Sequence, residues 1–230
     1  MKSIPHHMLS VYDLDEDISV ARYMKDASPI LLDIIARGKT PIVCGGTGQY
    51  IDSLIYTTMT PPVPPDHKLR EELEKKSADE LYDELLKKDS IRAIAIDRHN
   101  RVRLIRALER VATRGMVPQA QKEELRYPTK LYLMNPTRAL LRERITRRLE
   151  KRLEGGMINE VRLVMSQGYT SDTMKKFGLE YVAIGKYLEG AMSKEEMKQE
   201  LITKSMQYAK RQMTWNKKYL PIAEIVDVKE

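Results

Sequence analysis

In Thr40-Pro41-Ile42-Val43-Cys44-Gly45-Gly46-Thr47-Gly48-Gln49-Tyr50, an apolar run breaks into a glycine-rich turn that carries one threonine. A strand that turns through glycines into a helix start gathers free backbone N–H groups at one point. That arrangement suits a phosphate or a ribose phosphate. The stronger signature of phosphate chemistry, G-x-x-x-x-G-K-[ST], does not occur in residues 1–44. The turn therefore points to phosphate handling without supplying the loop that usually performs it.

Two further sets of residues fit a polyanion. Arg103, Arg106, Arg110 and Arg114 are spaced three, four and four apart, so they share one helix face. Leu104, Leu108 and Val111 form a neighbouring stripe that can pack inward. Such a row of guanidinium groups matches a phosphate backbone, although pairing with a local acid such as Glu109 would make it a plain solvated face. Near the C-terminus, Arg211, Trp215 and Lys218 lie on one helix face, where basic groups beside an indole grip phosphate and base together. A lone tryptophan is also a common core residue, and both roles are compatible. The helix expected at 137–154 is more basic still (Arg138, Arg142, Arg144, Arg147, Arg148, Lys151, Arg152). Its glutamates at 143, 150 and 154 favour weak i, i+4 pairs over a binding face.

Composition narrows the function classes. The 230 residues carry a net charge of +7, with 42% hydrophobic, 32% charged and 6% aromatic residues. This describes a helix-rich protein with a real core and a surface drawn to polyanions. The single cysteine excludes an internal disulfide and a thiolate metal cluster, and is expected to be a small buried residue at a strand end. The histidines (6, 7, 67 and 99) lack ligand spacing. No apolar run approaches the ~20 residues of a membrane helix, and no secretory leader is visible at Met1. The cytoplasm is the expected location.

The elements that must position these residues follow from local signals. Ser19 starts a helix that Gly38 stops. Residues 40–44 read as a short buried strand and 48–57 as a helix start, giving one α/β unit with parallel pairing. Four prolines in residues 60–65 read as a stiff hinge and domain boundary. Residues 66–88 and 90–114 read as two polar helices, the second ended by Gly115 and Pro118. Residues 129–135 read as a strand re-entering the sheet. Helices are expected at 137–154, 157–167, within 173–190, and at 193–218, the last with the capping box Ser193-x-x-Glu196.

The chain resembles the tRNA dimethylallyltransferases, also called isopentenyl-tRNA transferases. The residues that carry the resemblance are Pro5-His6-His7-Met8-Leu9, Ser19-Val20-Ala21-Arg22-Tyr23, Gly45-Gly46-Thr47-Gly48-Gln49-Tyr50-Ile51, Arg103-Leu104-Ile105-Arg106-Ala107-Leu108-Glu109, Phe177-Gly178-Leu179-Glu180-Tyr181 and Ala209-Lys210-Arg211-Gln212-Met213-Thr214-Trp215. They occur in family order along essentially the whole chain. The resemblance implies an α/β fold with a P-loop NTPase-like parallel-sheet core at 1–62 and 127–230. A helical insertion at 63–126 would reach the tRNA anticodon arm. The implied reaction moves a dimethylallyl group from dimethylallyl diphosphate to N6 of an adenosine beside the anticodon, with Mg2+ on the diphosphate. By resemblance, Thr47 faces the reaction channel and contacts tRNA; Arg70, Arg103 and Arg106 contact tRNA from the insertion; and Lys210, Arg211 and Gln212 support the catalytic end or the anticodon loop.

The chain also departs from the family pattern. By resemblance, the phosphate loop and the aspartate that activates the amine belong before Met1, so no catalytic residue is assigned within the chain. Without the first strand, a central sheet position is expected to be empty or an edge exposed. Val182 stands where many relatives have an arginine, and Gln49 where leucine is usual. The zinc-finger extension of eukaryotic forms is missing, so a bacterial-type monomer is implied. The expected function is tRNA prenyl transfer, impaired in this polypeptide alone. The alternative is a non-catalytic RNA-binding module; a kinase-like phosphotransferase explains the glycine turn but not the arginines.

Overall fold

The computed structural model describes residues 4–16, 18–57, 66–115 and 124–228. The proline segment at 60–65 and Pro118 lie outside the described residues. In chain order the helices are α1 (Val20–Ala36), α2 (Gly48–Ile55), α3 (His67–Leu73), α4 (Ala78–Lys88), α5 (Ser90–Ile94), α6 (Arg101–Arg114), α7 (Arg138–Glu154), α8 (Met157–Ser166), α9 (Leu179–Leu188) and α10 (Lys194–Asn216). The strands are β1 (Leu131–Met134) and β2 (Ala223–Val226). Among the described residues the protein is helix-rich with one small parallel sheet. No described helix is long and apolar enough to cross a membrane. The chain divides into two compact units, Met1–Asp52 with Pro128–Glu230, and Ser53–Tyr127.

In the first unit, side-chain caps set the helix starts. Ser19 Oγ accepts the Arg22 N–H at 3.2 Å and opens α1. Ser193 and Glu196 form a reciprocal capping box that opens α10. The core is the face shared by α7–α10 and the 3-10 turn at Thr173–Phe177: Leu149, Val161, Met174, Ile184, Met197 and Leu201 are all buried. Burying a side chain of this kind stabilises by about 1.5–3 kcal/mol each before entropy is charged against it. Gly185 lets α9 approach closely, because a Cβ there would lie 2.7 Å from Met174 Cε and 3.1 Å from Ser171 Cβ. Glu189 fixes the same approach by accepting from Ser171 N–H at 2.8 Å and Ser171 Oγ at 2.7 Å.

The strand expected at 129–135 is β1, and its partner is β2, paired in parallel with Leu131 opposite Ala223 and Met134 opposite Val226. Leu131 and Leu133 turn inward while Tyr132 and Met134 are exposed, the alternation of a half-covered sheet. Residues 40–44 correct the sequence reading. They form no strand, Ile42 is 80% exposed, and Cys44 is exposed rather than buried. An apolar run becomes a strand only when a neighbour supplies ladder hydrogen bonds, and no described residue does so here.

In the second unit, the two helices expected over 66–88 and 90–114 are four. Ser77 and Asn100 are the reason. Ser77 begins α4 with a capping box to Glu80, and Asn100 Oδ1 accepts the Arg103 N–H at 3.1 Å to begin α6. Gly115 closes α6 in the left-handed conformation, φ +78°, where glycine carries no Cβ penalty. Leu73, Leu81, Leu85, Leu104 and Leu108 form the core. The segments entering and leaving this unit pair with each other: Thr57 N–H donates to Glu124 O at 2.8 Å, and Arg126 N–H to Ile55 O at 2.7 Å.

Candidate nucleic-acid interface

The glycine turn is held against the C-terminal half of α10. Thr47 is exposed, and its carbonyl accepts the Tyr50 N–H at 3.0 Å to start α2. Its hydroxyl lies 3.0 Å from the Tyr208 hydroxyl. Gly46 leaves room for Gln212: a Cβ on Gly46 would fall 1.8 Å from Gln212 Nε2. Gly48 leaves room for Trp215, with a Cβ there falling 2.1 Å from the indole Cδ1 and Nε1. The glycines are therefore required by side chains of this chain, beyond any ligand.

This packing gathers Thr47 with the residues that the sequence placed at the end of α10. Arg211 is exposed, with its guanidinium 5.6 Å from the centre of the Tyr208 ring. Lys210 is exposed on the same segment, and Gln212 is half-buried against Gly46. Lys218 Nζ lies 5.1 Å from the centre of the Trp215 ring, and Trp215 is 42% exposed, so the indole is both packing element and surface. One wall thus presents a hydroxyl pair, the exposed cations Lys210 and Arg211 and an aromatic face, a combination suited to a nucleotide.

Beneath the wall sits a residue that sequence reasoning missed. Asp52 is buried and accepts from both Lys218 Nζ and the buried Tyr219 hydroxyl. It pins α2 to the chain just past α10, and so fixes where Thr47 meets Tyr208. The available signal was a single acid among the apolar residues Ile51, Leu54 and Ile55. Among the described residues no three acidic, histidine or cysteine side chains converge, and Asp52 is already engaged by Lys218 and Tyr219.

The other candidates lie in the second unit. Arg103 and Arg106 are exposed on α6, opposite the buried face of Leu104, Leu108 and Val111. Arg70 is committed elsewhere. Its Nε and Nη2 donate to the two carboxylate oxygens of buried Glu109 at 2.6 and 2.9 Å. That hydrogen bonding raises the pKa of Arg70 further above its already high value. Glu109 therefore neutralises Arg70, not the arginine row.

Gly46 and Gly48 give a paired prediction. Gly48→Ala is expected to destabilise the protein by about 1–3 kcal/mol, since the rigid indole must be displaced. Gly46→Ala is expected to cost less, because the Gln212 amide is the flexible end of its chain. The lone Trp215 reports the difference: Gly48→Ala should shift the fluorescence maximum and lower the urea midpoint, and equal effects at both sites would contradict this packing.

Comparison with known proteins places the chain in a family. The family model described as IPP transferase matches residues 1–219. A tRNA dimethylallyltransferase of Exiguobacterium sp. is 37% identical over 221 residues, covering 93% of this chain and 70% of the relative. Another, from Anoxybacillus flavithermus, is 35% identical over 225 residues, covering 96% of this chain and 72% of the relative. The crystal structure of the full-length tRNA isopentenylpyrophosphate transferase of Bacillus halodurans is similar with a TM-score of 0.67 and 31% identity, over 99% of this chain and 73% of that one. A eukaryotic dimethylallyltransferase acting on tRNA shares the fold, with a TM-score of 0.84 at 24% identity over 98% of this chain and 60% of that one. With a family match spanning nearly its whole length and relatives of this name above 30% identity, the chain belongs to the IPP transferase family.

Proposed function

We propose that this protein acts in tRNA modification. It would transfer a dimethylallyl group from dimethylallyl diphosphate to N6 of an adenosine in the anticodon arm, working as a monomer in the cytoplasm. The observation that carries the reading is the wall formed by Thr47, Tyr208, Lys210 and Arg211, on a chain whose relatives are named for this reaction. In this reading the first unit is the later part of a P-loop NTPase-like core, and Thr47 lines the channel where a flipped adenine meets the allylic carbon. A surface of this kind holds the amine in line for attack, so its contribution is orientation. Stabilising the departing pyrophosphate is a separate task that needs cations and backbone N–H groups around the diphosphate. Residues 1–230 contain no G-x-x-x-x-G-K-[ST] to perform it.

The test uses the 230-residue polypeptide, an anticodon-arm RNA, Mg2+ and labelled dimethylallyl diphosphate. The expected result is RNA binding with no prenylated adenosine, and transfer once an upstream segment bearing G-x-x-x-x-G-K-[ST] is joined in frame. Prenylation by the 230 residues alone would overturn the assignment of diphosphate chemistry to a segment outside them. An extended chain that binds RNA yet stays inactive would favour the non-catalytic module.

A further inference from the structure

We propose that Tyr208 is a positioning residue for Thr47. Its phenol donates to the Thr47 hydroxyl, and Thr47 in turn donates to a purine ring nitrogen beside the amine to be modified, N1 or N7. The inference rests on the reading of the wall as an adenosine site. It adds which way the protons point, and hence what the wall recognises.

Placement is the first support. Tyr208 lies 161 positions from Thr47 in the chain, yet their hydroxyl oxygens are 3.0 Å apart. Each is held by its own frame. The Thr47 carbonyl accepts the Tyr50 N–H where α2 begins, and the next residue, Gly48, is buried against the Trp215 indole. Tyr208 stands on α10, beside buried Ala209. The hydroxyl pair is nevertheless open to a ligand, since Thr47 is exposed and Tyr208 is 40% exposed. Among the described residues each of these hydroxyls hydrogen-bonds only to the other. Such a pair shares one proton and leaves the second for whatever binds there.

Acidity is the second support, because it decides which proton is shared. A phenol is a stronger acid than an aliphatic alcohol and so the better donor, while the alcohol oxygen is the better acceptor. The Arg211 guanidinium, 5.6 Å from the centre of the Tyr208 ring, draws on the electrons of that ring and strengthens the phenol as a donor. With Thr47 Oγ1 accepting from Tyr208, the Thr47 proton is the one turned outward. The reverse polarity would spend that proton on Tyr208 and leave Thr47 able only to accept, as from an amine N–H.

The outward proton selects the ligand atom. Adenine offers donors at its amine and acceptors at the ring nitrogens on either side of it. A donor at Thr47 therefore meets a ring nitrogen and leaves the amine free to react. The open part of the Trp215 indole, 42% exposed, gives the purine a face to lie on. A donor facing N1 also rejects guanine, whose N1 carries a proton. A donor facing N7 accepts either purine, and the two cases separate by experiment.

The experiment measures binding of anticodon-arm RNAs to the full chain. The target adenosine is left intact or replaced by 1-deazaadenosine, by 7-deazaadenosine, or by purine riboside, which lacks the amine. The proteins are wild type, Thr47→Val, Thr47→Ser and Tyr208→Phe. One of the two deaza RNAs should bind wild type about two- to tenfold more weakly than the intact RNA, the range of a single neutral hydrogen bond. Which one it is assigns N1 or N7. The penalty should vanish in Thr47→Val and persist in Thr47→Ser. Tyr208→Phe keeps the ring beside Arg211, so it should hold the wild-type melting temperature while shrinking the penalty. If Tyr208→Phe instead weakens all four RNAs equally and leaves the deaza penalty intact, Tyr208 is only structural and the proposal falls. If neither deaza RNA is impaired but purine riboside is, and Thr47→Val removes that difference, Thr47 accepts from the amine and the polarity is the reverse of the one proposed. If wild type binds all four RNAs alike, the proposal is overturned while the RNA-binding reading stands. If it binds none of them, the reading of function fails and the inference falls with it.

Discussion

Replacing Arg70 with alanine is expected to destabilise the helical unit by about 3 kcal/mol. The reason is what the substitution leaves behind. Glu109 has a side chain only 5% exposed, and its two oxygens take Nε and Nη2 of Arg70 at 2.6 and 2.9 Å. Without them one contact to the carboxylate remains among the described residues, the Asp66 N–H at 3.2 Å. A buried carboxylate with so little support must gain a proton or draw water into the core formed by Leu104 and Leu108. The pair itself is not the source of stability, since two charges have also been taken out of water to make it. Replacing both residues, as Arg70→Met with Glu109→Leu, should therefore recover most of the loss. Hydrogen exchange along α6 in the full chain measures the effect where it arises. Protection within about 0.5 kcal/mol of wild type for Arg70→Ala would contradict the assignment. The measurement also separates two meanings of one result, because weaker RNA binding by this variant would otherwise read as a lost tRNA contact.

Asp52→Ala is the corresponding experiment in the first unit, with an expected cost of about 2–3 kcal/mol. The buried hydroxyl of Tyr219 loses its hydrogen bond to the Asp52 carboxylate, and that loss is the larger part of the effect. Lys218 is a third exposed and contributes less, since solvent screens its pairing. Tyr219→Phe should cost less than Asp52→Ala, because Asp52 then keeps Lys218. The consequence should reach the surface: Lys218 also lies against Trp215, so its release should shift the indole fluorescence and weaken RNA binding through Thr47 and Tyr208. A urea midpoint of Trp215 fluorescence unchanged from wild type would refute the role given to Asp52.

Local chemistry was readable in the sequence, and pairwise chemistry was not. Ser19, Ser193 and Gly38 announce their helix ends because a cap is made within a few residues. The inward stripe of Leu104, Leu108 and Val111 follows from helical spacing alone. Residues 40–44 have the composition of a strand, but strand formation depends on a neighbour that composition does not reveal. The breaks in the second unit carried visible signals in Ser77-x-x-Glu80 and Asn100, and those caps override the continuous polar pattern. At the site, the spacing of Arg103 and Arg106 placed both on the exposed face. The partners themselves, 39 positions away for Arg70 and 166 and 167 positions away for Asp52, could not be read from local sequence.

The 166-residue separation of Asp52 from Lys218 also imposes an order in time. The helical unit, residues 53–127, is contiguous in the chain and holds all its own core partners once its last helix has been made. The first unit is interrupted: α1 and α2 emerge early from the ribosome, yet β2, Lys218 and Tyr219 emerge only after the whole intervening chain. Contacts of such long range form slowly, and segments usually fold in the order of synthesis. During translation the inserted unit should thus be protease-resistant while residues 20–52 still wait for their partners. The wall that carries Thr47 is assembled last, so an incomplete polypeptide can present a folded arginine face before it has a finished site.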